Sequence, residues 1–240
     1  VDQLRAGDRP RPEAIEVPTD DGATTHAVVY PPANEDHEGP ADELPPLVVF
    51  THGGPTGHVA PVLSPQIAYW TSRGFAVADV NYRGSSGFGR AYRDALQGQW
   101  GVHDVTDTIA VARHLAAEGR VDGDRMVIRG GSAGGFTTLA VLTSPEHPFA
   151  AGTSFFGVAD VAALMEHTHK FESRYLDGLV GPLPQAADLA RERSPLTHVD
   201  RLRRPLLVLQ GLEDAVVPPA QSEAIVAACA ERGVPHAYLA

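Results

Sequence analysis

The chain has 240 residues, 43% hydrophobic and 20% charged, enough for one large α/β domain with an ordinary core. Its net charge of −11 argues against a nucleic-acid partner, and its one cysteine, Cys229, excludes an internal disulfide. No apolar run approaches the ~18 residues of a membrane span, so no membrane partner is expected. No signal peptide is visible either, which makes a cytoplasmic location the expectation.

Residues 1–12 read as a charged, proline-bearing linker ahead of a domain at 13–240. The chain opens on Val1 rather than Met, and the expectation is that both ends are cut from a longer protein. Glu13 to Pro18 and Thr24 to Tyr30 predict two strands joined by the turn signal Asp20-Asp21-Gly22. Residues 31–46 form a polar, proline-rich loop. Leu47 to Phe50 predicts a buried strand, and Phe75 to Tyr82 the next one. Asp104 to Ala117 predicts a helix, with Val105, Ile109, Ala112 and Leu115 on one face and Gly119 ending it. Met126 to Ile128 and Phe149 to Phe156 predict strands on either side of a helix over Phe136 to Leu142. Residues 161–200 form a less regular excursion with helical patches. A strand at 205–211, a helix over Pro219 to Arg232 and a partial strand close the chain; Cys229 on that helix reads as packing. Strands alternating with helices imply a mostly parallel sheet with helices on both faces. A Rossmann fingerprint is absent after the first strand.

The most informative stretch is Gly130-Gly131-Ser132-Ala133-Gly134-Gly135, which reads G-x-S-x-G between a strand and a helix. A serine hydroxyl needs a base within reach and room for a carbonyl carbon, and a sharp turn at a strand end provides both. Glycines flank it because the turn is strained and the helix packs close to the strand. The same kind of turn can cradle a phosphate. Order along the chain decides between them. Upstream, the strand at Leu47 to Phe50 runs into His52-Gly53-Gly54-Pro55, where an oxyanion loop belongs. Downstream, the 205–211 strand runs into Leu212-Glu213-Asp214, where a triad acid belongs. The order Ser, acid, His predicts a histidine last. The only histidine after Asp214 is His236, at the entrance of a strand rather than in a loop after one, so it reads as a strand-edge residue.

Taken together, the motifs resemble the catalytic domain of the prolyl oligopeptidase family of serine peptidases, nearest its acylaminoacyl-peptidase and dipeptidyl-aminopeptidase branches. The matching pieces are Thr51 to Pro55, Asn81-Tyr82-Arg83-Gly84-Ser85-Ser86-Gly87-Phe88-Gly89, residues 130–135, Gln210 to Asp214 with Val217-Pro218-Pro219, His169 to Tyr175, and Arg193-Ser194-Pro195. The resemblance implies an α/β-hydrolase fold, C-terminally truncated here, and an N-terminal β-propeller in the parent that restricts entry to short peptides. It implies that Ser132 attacks the scissile carbonyl, that Asp214 orients a histidine beyond Ala240, and that N–H groups of Ala133 and Gly54 hold the oxyanion. It places an apolar P1 pocket on Val158, Val161 and Leu164. It also implies no cofactor, and family members often assemble, so a homo-oligomer is an expectation. The 240 residues alone, lacking the base, should be nearly inactive.

Several residues carry two readings at this stage. His52 reads as a side chain packing under its loop. Arg83 reads either as a substrate contact or as an ion pair bracing the loop. Glu172 and Arg174 read as an ion pair, and Trp70 and Trp100 as core or interface anchors. His167 and His169 lack a clear third ligand, so no metal is expected. A carboxylesterase with the same machinery, and an inactive binding module, remain alternatives to the peptidase.

Overall fold

The computed structural model describes residues 4–62, 64–167 and 175–240. The two early strands are β1 (Glu13–Pro18) and β2 (Thr24–Tyr30), an antiparallel pair. Then follow β3 (Leu47–Thr51), helix α1 (Pro65–Thr71), β4 (Ala76–Asn81), α2 (Arg90–Asp94) and α3 (His103–Ala117). Next come β5 (Met126–Gly131), α4 (Ala133–Leu142) and β6 (Ala151–Phe155). The irregular excursion holds α5 (Val161–His167), α6 (Tyr175–Leu179), α7 (Ala187–Arg193) and a 3-10 segment (Pro195–Arg201). The chain closes with β7 (Leu206–Leu209), α8 (Pro219–Glu231) and β8 (His236–Leu239).

These strands form one eight-stranded sheet in the order β1-β2-β4-β3-β5-β6-β7-β8. From β3 to β8 every ladder is parallel. A right-handed crossover places its helix on a face set by the direction of the step. Only the β3-to-β4 step runs toward β1; the later steps all run toward β8. Helix α1 therefore lies on one face, while α3, α4 and α8 lie on the other. Two separate cores record this. The larger joins Ile109, Leu115, Phe136, Leu142, Ile225 and Cys229 to Val49, Ile128 and Val208; the smaller joins Ile67 of α1 to Val28, Val48, Phe50 and Val77.

Local sequence explains the elements that hold the site. Ser64 caps α1 through the N–H of Ile67, with Pro65 at its first position. The predicted apolar face of α3 is buried at Val105, Ile109, Ala112 and Leu115. Trp100 is buried against the Phe136 ring, 4.1 Å between centroids, whereas Trp70 sits half-buried on α1 against Phe75. Burial pushes the Cys229 thiol up to about 11. Among the described residues no helix is long and apolar enough to cross a membrane. The expected Glu172–Arg174 pair and His169 lie outside the described residues.

Candidate active site

Parallel strands deliver their C-terminal ends to one edge of the sheet, and ligands bind there in open α/β folds. Four of the expected features come from that edge. Ser132 follows β5, Gly53 and Gly54 follow β3, and Asp214 follows β7.

Ser132 has φ 55° and ψ −121°, a conformation that costs a non-glycine residue about 1–3 kcal/mol. The surroundings enforce it. Its N–H donates to Phe155 O at 3.0 Å, and its carbonyl accepts from Phe136 N at 2.9 Å. The side chain makes no capping bond to α4, so the hydroxyl is not tied to the helix. The glycines around it are needed for space. A Cβ at Gly130 would collide with Thr51 Oγ1, and one at Gly134 with Thr51 O. Thr51 Oγ1 fills the gap they leave, donating to Gly134 O at 2.8 Å. Strand β3 and the turn of α4 are thereby clamped together.

That clamp brings the loop after β3 to the serine. A Cβ at Gly53 would lie 3.7 Å from Ser132 Cβ. Gly54, with φ 123°, turns the chain away; a Cβ there would meet Gly57 N at 2.6 Å. Ala133 is the first residue of α4, so its N–H has no carbonyl one turn back within the helix. Gly53 and Ala133 thus both adjoin Ser132, one through the loop after β3 and the other as the next residue in the chain.

His52 is structural in its contacts. Its ring stacks on Tyr82 at 4.4 Å, with Nδ1 2.8 Å from Gly53 O and Nε2 2.7 Å from Ser85 Oγ. Burial lowers its pKa to about 4, so the ring is neutral and carries one proton. A carbonyl only accepts, which assigns that proton to Nδ1; the bare Nε2 then faces Ser85 Oγ, whose single proton is shared between Nε2 and Tyr82 O, 2.7 Å away. Tyr82 Oη donates to His52 O at 3.0 Å and completes the support. The ring therefore fixes the loop after β3, with both nitrogens engaged away from Ser132.

Asp214 sits half-buried in a turn. Its Oδ1 accepts the N–H groups of Val216 and Val217, each at 2.9 Å. This is an Asx-type turn, and it orients the carboxylate with Oδ2 outside those two bonds. Among the described residues no histidine hydrogen-bonds Ser132. His236 begins β8 opposite Leu206, at the far end of the strands from the Leu209–Leu239 pair at the site's edge, and its Nδ1 lies 2.7 Å from Val234 O.

Other expected residues land elsewhere. Of the two readings of Arg83, its contacts here are those of the ion pair. Its guanidinium donates from Nε and Nη2 to Asp107 and from Nη1 to Asp21 at 2.6 Å, and only 7% of the side chain is exposed. Asp107 also accepts Arg83 N–H at 2.7 Å, so this group braces the loop after β4. Val158 and Val161, expected at the P1 pocket, are both buried in the large core. Leu164, half-buried on α5, packs against that same core.

Some contributors had no role assigned from the sequence, although Asn81 and Tyr175 stand in matching motifs. Tyr175 Oη meets Thr56 Oγ1 at 2.9 Å and accepts Thr56 N–H at 3.3 Å, tying the loop after Gly54 to α6. Asn81 exchanges two hydrogen bonds with the Val59 backbone and holds the same loop from β4. Asp104, wholly buried at the start of α3, accepts from Thr137 Oγ1 and Gly101 N at 2.6 Å each, behind α4. Burial raises its pKa to about 6. Phe156, the one other non-glycine with positive φ among the described residues, places its ring 3.2 Å from a Cβ built at Gly131. An apolar residue just past a strand gives no sequence signal of that conformation.

Comparison with known proteins places the chain in a family. Residues 61–240 match the model of the prolyl oligopeptidase family. Dipeptidyl aminopeptidase BIII of Pseudoxanthomonas mexicana is 32% identical over 232 residues, covering 94% of this chain and 34% of the relative. The acylamino-acid-releasing enzyme of Arabidopsis thaliana is 32% identical over 196 residues, covering 79% of this chain and 26% of the relative. The structure of a puromycin-hydrolyzing peptidase of Mycobacterium tuberculosis superposes with a TM-score of 0.96 at 51% identity, covering all of this chain and 36% of that one. The chain thus spans about a third of the length of the proteins it matches.

Proposed function

The chain belongs to the prolyl oligopeptidase family, and from that premise we propose that it is the catalytic part of a serine peptidase acting on short peptides. The observation that carries the proposal is the strained, uncapped Ser132 with Gly53 against its Cβ and a helix N-terminus behind it. Ser132 attacks the scissile carbonyl and an acyl-enzyme forms. The N–H groups of Ala133 and Gly54 take up the negative charge on the carbonyl oxygen. Asp214, held through Oδ1, presents its other oxygen to the Nδ1–H of a histidine that follows residue 240 in the longer polypeptide. That histidine takes the Ser132 proton and delivers it to the leaving amine; water then releases the acyl group by the reverse sequence.

The neutral His52, committed to Gly53 and Ser85, supports two backbone donors rather than a side-chain donor in the oxyanion hole. The similarity to puromycin-hydrolyzing peptidases adds puromycin to the substrates to try. The test uses the longer polypeptide with puromycin, an acylaminoacyl anilide, a free-N-terminal dipeptidyl anilide and a simple aryl ester. Turnover of an amide substrate that disappears in Ser132→Ala is expected, and the preferred one names the branch. Turnover of the ester alone would replace this reading with an esterase.

A further inference from the structure

A carboxyl group taken out of water is costly unless its oxygens find donors. Asp104, in the first turn of α3, is wholly buried and finds two. Its Oδ1 accepts Gly101 N–H and its Oδ2 accepts Thr137 Oγ1, both at 2.6 Å. The second bond has a competitor. Thr137 Oγ1 also lies 3.2 Å from Ala133 O. One hydroxyl proton thus faces two acceptors, a carboxylate and the carbonyl of the residue that opens α4.

The proton on Thr137 follows the charge on Asp104. An ionised carboxylate only accepts, so Thr137 donates to it, and the shorter, charge-assisted bond wins over the longer one. A protonated Asp104 donates from Oδ2 to Thr137 Oγ1, and Thr137 then donates to Ala133 O. Gly101 N–H donates to Oδ1 in both states. The neighbours leave Asp104 as the group that changes charge. Helix α4 carries no ionisable side chain. On α3, Asp107 repels Asp104 but is paired with Arg83, and burial lowers the pKa of His103. Tyr82, just past β4, is wholly buried and held as a neutral phenol. Arg193 of α7 passes Gly101, with its Cδ 3.5 Å from a Cβ built there. Burial is the largest cause that raises Asp104 to about 6, so both of its states are populated on either side of that pH.

Resting on the assignment of Ala133 N–H to the oxyanion, we propose that Asp104 and Thr137 form a proton-controlled positioning pair that sets how strongly the start of α4 binds that negative charge. Asp104 touches no substrate and acts through Thr137. When it is ionised, a buried negative charge stands one hydroxyl away from residue 133. It opposes the second negative charge that develops on the scissile carbonyl oxygen, and it offsets the positive end of the α4 dipole. When it is neutral, that opposition is gone, and the Ala133 carbonyl gains the Thr137 hydroxyl as a donor that steadies the first turn. Linkage makes the effect reciprocal: an anion at Ala133 favours the proton on Asp104. The neutral pair should bind the transition state on the order of tenfold more tightly than the ionised pair.

The test uses the longer polypeptide and the ratio of kcat/KM in Asp104→Asn to that of the unsubstituted protein, followed from about pH 5 to about pH 8. Asparagine Oδ1 can keep the Gly101 bond while Nδ2 donates to Thr137, so it copies the neutral state at every pH. Titration of the catalytic histidine cancels in the ratio. The ratio should be near one at the acid end and rise about tenfold through about pH 6. Thr137→Val takes a donor from the carboxylate, so the step should move to higher pH in that variant, and Thr137→Ser should return it. An Asp104 that only supports the fold would lower Tm and leave the ratio flat. A flat ratio would overturn the proposal, and so would a step that Thr137→Val leaves in place. If Asp104→Asn does not fold, the two Thr137 variants decide. Esters and amides both pass through an oxyanion, so the ratio can be read on either. A flat ratio beside turnover that Ser132→Ala abolishes would refute the positioning pair and leave the role of Ser132 standing, whereas turnover that survives Ser132→Ala would refute that role first.

Discussion

Asp214 organises its own turn and is also assigned to the triad, and the substitution Asp214→Asn separates the two roles. In the turn, Oδ1 accepts two backbone N–H bonds at 2.9 Å. An asparagine Oδ1 can accept the same two bonds. What is lost is the charge assistance, which roughly doubles a neutral bond of about 0.5–1.5 kcal/mol, so stability should fall by about 1–2 kcal/mol. For a domain of this size that is a Tm decrease of about 2–8 °C. In catalysis the change is far larger. An amide at the acid position favours the wrong histidine tautomer and costs on the order of 10⁴ in kcat, or about 5.5 kcal/mol. The assay pairs thermal unfolding with kcat on a peptide anilide, measured in the longer polypeptide. A folded Asp214→Asn protein that retains more than about a tenth of the kcat would refute the triad assignment and leave Asp214 as a turn residue.

Three further outcomes follow from the geometry. Ser132→Gly should abolish turnover yet raise stability by about 1–2 kcal/mol, because glycine adopts φ 55° without strain; an unchanged or lower Tm would contradict the strained elbow. Asp107→Asn should lower stability by about 3–5 kcal/mol in urea unfolding, since it uncouples a carboxylate that is wholly buried against Arg83; the double variant Arg83→Met/Asp107→Leu should recover most of that loss with KM unchanged, whereas a raised KM would return Arg83 to the substrate. Burial holds the Asp104 carboxyl at about 6, above its unfolded value of about 4, so between those values the folded chain keeps a proton that the unfolded chain has released. Stability should therefore fall as pH rises from about 4 to about 6, and Asp104→Asn should lack that component; parallel stability profiles for the two proteins would refute it.

Much of the fold was legible because its signals are local. Apolar runs bounded by turn residues located all eight strands, within a residue or two at most ends, and helical spacing marked the buried face of α3. The elbow was legible because backbone geometry dictates its residues: no side chain fits at Gly130 or Gly134 beside Thr51. What the sequence hid depends on partners remote along the chain. The placement of Arg83 is decided by Asp107 and Asp21, one on α3 and one in the β1–β2 turn. Val158 and Val161 are apolar whether they line a pocket or fill a core, and only packing tells these apart. The alternation on β5 to β7 was hidden likewise, since Leu206-Leu207-Val208-Leu209 reads as apolar on both faces while one face is half-covered.

The most direct measurement is intact-mass and peptide mapping of the longer polypeptide after reaction with an aryl fluorophosphonate. The account predicts one adduct per chain, on the peptide carrying Ser132, lost in Ser132→Ala and formed slowly in the 240-residue chain alone. An adduct on another residue, or none in a longer polypeptide that still hydrolyses peptides, would contradict it.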